Sequence, residues 1–188
     1  MNNKVRSKVV GLDIDGVLYD WHTIAYDFAC HYMGAKADYD TFWLRELPSW
    51  SITKQENLTG NIDLYNKRPA EKDVVEAVQE LDIDFDVIYI TKRPKEALGV
   101  TYRWLDKSNL PNPNYLYLTY NKPAVLRAQA VDYYVDDFPK KDLLKLTKLI
   151  LVEKVWNQDM RDLVFTTVKS ILDVPQVIRD AEELYGEH

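Results

Sequence analysis

Cysteine is almost missing from this chain. Cys30 is the only one in 188 residues, which excludes a disulfide framework and a thiolate zinc cluster. No stretch is long and apolar enough to span a bilayer, and no signal sequence or lipidation motif is recognisable. A soluble cytoplasmic protein with no membrane partner is therefore expected. An excess of positive charge is lacking too. The 24 lysines and arginines are outnumbered by 30 acids, for a net charge of -6, so no global field attracts duplex nucleic acid, and no stable nucleic-acid partner is expected. Small anionic substrates stay open, because a local lysine and a metal ion override the overall charge. Internal repeats and low-complexity tracts are also missing. What remains is a globular composition, 46% hydrophobic and 29% charged. It suffices for one domain with a buried core and an inserted subdomain.

The most informative run is Gly11-Leu12-Asp13-Ile14-Asp15-Gly16-Val17-Leu18-Tyr19-Asp20. Val9 and Val10 lead into it as a strand, and Gly16 permits a sharp exit. Carboxylates two residues apart at a strand end point the same way, into one site. Like charges held that close need a cation, a proton or both. A hard cation with oxygen ligands, Mg2+, suits them. The blander reading is an acidic strand end capping a turn. Asp82-Ile83-Asp84-Phe85-Asp86 provides a comparison within the chain. It precedes the apolar run 87–90, has no following glycine, and is read as a solvated loop. Ligands of parallel sheets bind at the carboxyl ends of strands, where Asp13 lies and Asp82 does not.

From about residue 70 the pattern alternates. Val74, Val75, Val78 and Leu81 recur at helical spacing behind Pro69. A strand at 87–90 follows, then a helix opened by Pro94 with Ala97, Leu98, Thr101, Trp104 and Leu105 on one face. Further strands are expected at 115–118, 132–135 and 148–152, and helices at 123–130, 139–146 and from Pro175, the last capped by Asp173. Together with the strand before Asp13, this spells an α/β fold: a doubly wound, five-strand parallel sheet. Residues 20–68 break the rhythm. They hold Trp21, Phe42, Trp43 and Trp50 and no clear strand, and are read as a helical cap inserted after the first strand, the core being 1–19 and 69–188.

Three more groups fall at expected strand ends. Strand 87–90 runs into Thr91-Lys92-Arg93-Pro94, and the next into Thr119-Tyr120-Asn121-Lys122-Pro123. The one after ends in Asp136-Asp137. Singly each is weak: a strand-end threonine, a surface lysine, a helix cap. In this order they resemble the four motifs of the haloacid dehalogenase superfamily of phosphotransferases, over roughly residues 8 to 156. A narrower resemblance is to the 5′(3′)-deoxyribonucleotidases. It rests on the run from Asp13 to Trp21, on Phe42-Trp43-Leu44, on Val75-Glu76-Ala77-Val78, and on Leu149-Ile150-Leu151-Val152 with Trp156-Asn157-Gln158. A further cap aromatic of that family has no counterpart near Leu58, and Lys92-Arg93 stand where it has small neutral residues.

The residues support two-step phosphoryl transfer through an aspartyl-phosphate. Asp13 is the expected nucleophile, since a carboxylate needs no deprotonating base at neutral pH. Asp15 is the expected proton donor to the leaving alkoxide and then the base for water, its acid form favoured by burial and by the charge of Asp13. The superfamily implies Mg2+ held by Asp13, the backbone carbonyl of Asp15 and Asp136, with Asp137 orienting Lys122 or a metal-bound water. Thr91, Lys92 and Lys122 are expected to bind phosphate. The nucleotidase resemblance implies that Trp21, Phe42 and Trp43 hold the base of a small-molecule nucleotide, against the alternative that they form the cap's own core. His22 and His31 are assigned no chemistry. The leading expectation is a Mg2+-dependent phosphatase of (deoxy)nucleoside monophosphates, and it leaves room for a homodimer. A polynucleotide 3′-phosphatase and a non-catalytic nucleotide-binding domain are the competing readings.

Overall fold

A computed structural model of the chain describes residues 7–185. Six strands form one all-parallel sheet: β1 (Val9–Leu12), β2 (Asp86–Thr91), β3 (Leu116–Leu118), β4 (Tyr133–Asp136), β5 (Lys148–Val152) and β6 (Thr166–Val168). Their spatial order is β3-β2-β1-β4-β5-β6. The sixth strand corrects the expectation of five. It has three residues, at the sheet's edge, and two of them are threonines with intermediate exposure. So short a half-wet strand leaves no apolar run to read.

After β1 the chain enters a helical excursion. It contains α1 (Trp21–Tyr32), α2 (Tyr39–Thr41), a π turn (Phe42–Glu46), α3 (Leu47–Ser49), α4 (Ile52–Thr59) and a 3-10 turn (Ile62–Asn66). Local side chains start these helices. Asp20 accepts the N–H of Thr23 at 3.4 Å, Asp38 that of Thr41 at 3.0 Å, and Ser51 that of Lys54 at 3.3 Å. Phe42, Leu58 and Leu64 are buried in one apolar cluster with Val10 and Leu12 of β1, so this segment and the sheet share a core.

The body adds α5 (Lys72–Asp84), α6 (Leu98–Lys107), α7 (Lys122–Ala128) and α8 (Val174–Tyr185). Val10, Leu12, Val87 and Tyr89 face one layer, with Val78 of α5, Trp104 of α6 and Ile178 of α8. Val9, Ile88 and Ile90 face the other, with Leu126 of α7 and Leu143. Alternate residues of one strand thus serve opposite layers, as a doubly wound sheet requires. Among the described residues no helix is long and apolar enough to cross a membrane.

Several local expectations are corrected. The run 82–86 is no solvated loop: α5 continues through Asp84, and Asp82 is part-buried and accepts a hydrogen bond from the Asn112 amide. The buried stripe Ala77, Val78 and Leu81 carries the helix past its acidic end. Pro69 lies outside α5. Within 139–146 only the 3-10 turn Lys141–Leu143 is helical, and a 3-10 turn (Lys95–Ala97) precedes α6. Ahead of α8 the capping residue is Ser170, which leads a 3-10 turn (Ile171–Asp173) in which Asp173 completes a capping box.

Candidate active site

The strand order reverses at β1, which has β2 on one side and β4 on the other. In open α/β sheets the crevice at such a reversal, beyond the carboxyl ends, is where ligands bind. Asp13 emerges there. Its N–H donates to the Val135 carbonyl at 2.9 Å, so it leaves β1 still tied to β4. One carboxylate oxygen accepts the Ile14 N–H at 2.8 Å, and the other accepts the Lys122 ammonium at 2.8 Å. That ammonium donates also to Asp136, at 2.9 Å. Asn121 accepts the Ala124 N–H at 3.3 Å, and this cap sets Lys122 at the first turn of α7. Three strand ends therefore meet on one buried cation.

Charge is concentrated here. Asp13, Lys122, Asp136 and Asp137 are all buried. Burial first, then the Asp136 and Asp15 charges, push Asp13 up to about 7 against the pull of Lys122. Burial would push Lys122 down, but Asp13 and Asp136 outweigh it and hold the ammonium above the usual lysine range. Burial raises Asp136 as well, yet Lys122 and the Phe138 N–H bring it below an ordinary aspartate. Asp137 has no such partner: burial, Asp136 and Asp13 drive it well above the normal range. Its Oδ2 is buried without a hydrogen-bond partner. The Lys122 ammonium bonds to Asp13 and Asp136 and not to Asp137, so of the two roles expected for Asp137 the contact with Lys122 is not there.

Asp13, Asp136 and Asp137 each present an oxygen, all within 4.8 Å of one another. Three hard donors, one of them orphaned, fit a divalent cation such as Mg2+. Gly16 lets the loop close over this cluster. Its φ is +83°, and a Cβ there would stand 2.2 Å from the Asp137 carboxylate. Asn157 fixes the far side, donating to the carbonyls of Asp137 and Val152 at 2.8 Å each.

Asp15 is turned elsewhere. Arg93 donates to both of its oxygens, from Nε at 3.1 and 2.9 Å and from Nη2 at 2.6 Å. To the burial and Asp13 charge expected around this carboxyl, the structure adds a fully enclosed guanidinium bonded to both of its oxygens. The Asp15 side chain takes no part in the carboxylate triad.

A cavity of about 550 Å3 opens beside these groups. Asp13, Asp15, Thr91, Lys92, Arg93 and Asp137 border it on the sheet side. Thr91 is buried and its hydroxyl accepts the Arg93 N–H at 3.3 Å. Burial, then Lys122, lowers the Lys92 ammonium, which sits 5.9 Å from the Phe138 ring centroid. Trp21, Trp43, Tyr65 and Trp156 provide aromatic walls. Phe42 corrects the expectation of a base-holding pair with Trp43. It is 0% exposed, packs on Tyr26, Trp43 and Trp50, and does not reach the cavity. Tyr65, from the far end of the excursion, also lines the cavity, and its ring stacks on Trp21 at 6.2 Å. His22 also lines the cavity, 4.4 Å from the Trp156 ring, and burial followed by Lys154 pushes it down to about 3. His31 is bonded within its own helix, to the Asp27 carbonyl at 2.7 Å.

Sequence reasoning did not single out Arg93, Tyr65 or Asn157 for these positions. Arg93 read as a cation at a helix start, and Tyr65 lies in a segment without periodicity. No protein-family model and no curated protein matches the sequence. Solved structures do match its fold. A haloacid dehalogenase-like protein from Agrobacterium tumefaciens superposes with a TM-score of 0.60 at 15% identity, covering 94% of this chain and 99% of the other. The L-2-haloacid dehalogenase of Xanthobacter autotrophicus gives 0.57 at 12% identity, covering 93% and 99%. The β-phosphoglucomutase of Clostridium difficile gives 0.56 at 12% identity, covering 97% and 100%. The fold is therefore that of the haloacid dehalogenase-like hydrolases.

Proposed function

We propose that the chain is a phosphomonoesterase acting on (deoxy)nucleoside monophosphates through an aspartyl-phosphate on Asp13. One observation carries this reading: the Lys122 ammonium bridges Asp13 and Asp136 at 2.8 and 2.9 Å, and Asp13 borders an aromatic-walled cavity. Phosphoryl transfer needs positioning and charge neutralisation more than covalent work from the protein. Asp13 attacks phosphorus. Lys122 and Lys92 meet the equatorial oxygens, and the Thr91 hydroxyl donates to one of them. Asp15 protonates the departing ribose oxygen and later takes a proton from the water that cleaves the acyl-phosphate. Residues 20–68 act as the cap that keeps bulk water from that intermediate, with Trp21 and Trp43 against the base.

Mg2+ would be held by Asp13, Asp136 and the Asp15 carbonyl, with Asp137 at hand. When bound, it supplies positive charge that offsets carboxylate repulsion and polarises the phosphoryl group. A haloacid substrate fits less well. Its own carboxylate would meet three buried acids, whereas a phosphate monoester binds together with a cation.

A phosphate-release screen across nucleoside monophosphates tests the proposal, with and without Mg2+ and alongside a 3′-phosphorylated oligonucleotide. Mg2+-dependent release from mononucleotides is expected, and Asp13→Asn should abolish it with unchanged circular dichroism. Faster release from the oligonucleotide would favour a polynucleotide phosphatase. Binding without turnover would favour a non-catalytic domain, and turnover by Asp13→Asn would remove the mechanism.

A further inference from the structure

Arg93 is buried to 3% exposure, and each face of its guanidinium is occupied. Besides the paired bonds to Asp15, Nη1 donates to the Tyr65 carbonyl at 3.3 Å and to the Thr101 hydroxyl at 3.2 Å. Three rings enclose it, with centroids 4.6 Å (Tyr65), 5.2 Å (Tyr19) and 5.7 Å (Trp104) from Cζ. Tyr19 in turn donates its hydroxyl proton to the Leu64 carbonyl at 2.6 Å and accepts the Lys67 N–H at 2.9 Å. The guanidinium therefore has two anchorages. Thr101 and Trp104 belong to α6 of the body. Tyr65, and the chain that Tyr19 grips, belong to the returning end of the helical excursion.

We propose that Arg93 is a positioning residue for Asp15, and that it makes the orientation of this carboxylate depend on the seating of the segment 62–67. The proposal rests on the phosphatase reading and adds to it a residue with no proton chemistry of its own. A guanidinium donates hydrogen bonds but neither gives up nor accepts a proton at working pH, so it acts on the reaction through Asp15 and not as an acid or base itself. Two parallel N–H bonds fix the plane of a carboxylate, which one ammonium does not. Asp15 borders the same cavity as Asp13. A proton donor held at one angle beside the nucleophile is what the departing oxygen needs, and small misplacements there are costly.

The chemistry separates this role from a purely structural one. In the first step an Asp13 oxygen bonds to phosphorus while the bond from phosphorus to the ester oxygen breaks, its electron pair leaving with that oxygen. An aliphatic alkoxide must then take the Asp15 proton. A p-nitrophenolate leaves as the stable anion and takes none. Benzyl phosphate and p-nitrophenyl phosphate are similar in size and differ in this respect. kcat/KM reports the first step alone, and the ratio between two substrates does not depend on the folded fraction of a sample.

Asp15→Asn and Arg93→Lys should each lower kcat/KM for benzyl phosphate by about 100-fold, the scale of lost acid catalysis. Both should leave p-nitrophenyl phosphate within a few-fold of wild type. Thr101→Val and Tyr19→Phe loosen the two anchorages at residues that do not themselves line the cavity; they should show the same selectivity at several-fold, and they carry the test if Arg93→Lys does not fold. Equal losses on both esters, or none, in Arg93→Lys and Thr101→Val would make Arg93 a structural residue and overturn the assignment. An unselective Tyr19→Phe would overturn the link to segment 62–67. Turnover of both esters by Asp13→Asn would instead sink the underlying phosphatase reading and this inference with it.

Discussion

Trp21 and Phe42 are both aromatic, both in the helical excursion, and differ in what they touch. Trp21 lines the cavity, stacked on Tyr65, whereas Phe42 is enclosed among Tyr26, Trp43 and Trp50. A ring stacking on a base contributes about 1–3 kcal/mol, whereas emptying a buried phenylalanine site costs about 3–5 kcal/mol of stability. Trp21→Ala should therefore raise KM for a nucleoside monophosphate by roughly 10-fold or more and barely change KM for p-nitrophenyl phosphate. Phe42→Ala should lower the melting temperature sharply and leave the ratio of the two KM values alone. Steady-state kinetics and thermal melts on the two variants check both. Equal KM changes on the two esters in Trp21→Ala would mean that its ring is core, as that of Phe42 is.

At the scale of elements, legibility followed burial. β1, β2, β4 and β5 are enclosed on both faces, so Val9-Val10, Val87-Ile88 and Leu149-Ile150-Leu151 stand out as apolar runs between polar turns. β6 has no such run. Asp13 and Asp136 can be placed because one directly follows β1 and the other closes β4, and Lys122 because Pro123 marks a helix start just after the run Tyr115-Leu116-Tyr117-Leu118. Arg93 cannot, since its enclosure depends on Tyr19, Tyr65 and Trp104, which come from three separate stretches of chain. The start of α8 is legible to within a turn, but the capping side chain is that of Ser170, ahead of the 3-10 turn. Asp173 accepts the N–H groups of Lys169 and Ser170, while Ser170 accepts that of Leu172 at 3.3 Å. Ser170→Ala should therefore cost about 1 kcal/mol in urea unfolding, with activity intact. A change under a few tenths would mean that water replaces this cap.

Over the whole molecule, the site's charge ties stability to pH and to metal. Burial lifts Asp13 from 3.8 to about 7, and lifts Asp137 as well. Between 3.8 and about 7 the folded protein keeps the Asp13 proton that the unfolded chain has released, so the stability Asp13 contributes declines as pH rises through that window. His22 works in the opposite sense. Its folded value falls from 6.5 to about 3, so its contribution grows as pH rises through that window. A melt of the metal-free protein sums the two and can be nearly flat. The shift that Mg2+ adds is read against that background, and it follows the carboxylates that exchange a proton for the ion. An ion that binds only the folded chain raises the melting temperature by an amount that grows with the logarithm of 1 + [ion]/Kd, so tighter binding gives a larger shift. Millimolar Mg2+ should therefore raise the melting temperature more at pH 8, where Asp13 is ionised without help, than at pH 5, where a bound proton must first leave. Asp136→Asn should reduce the shift at both values. A Mg2+ shift that is the same at pH 5 and pH 8 would mean that the ion binds away from Asp13 and Asp137.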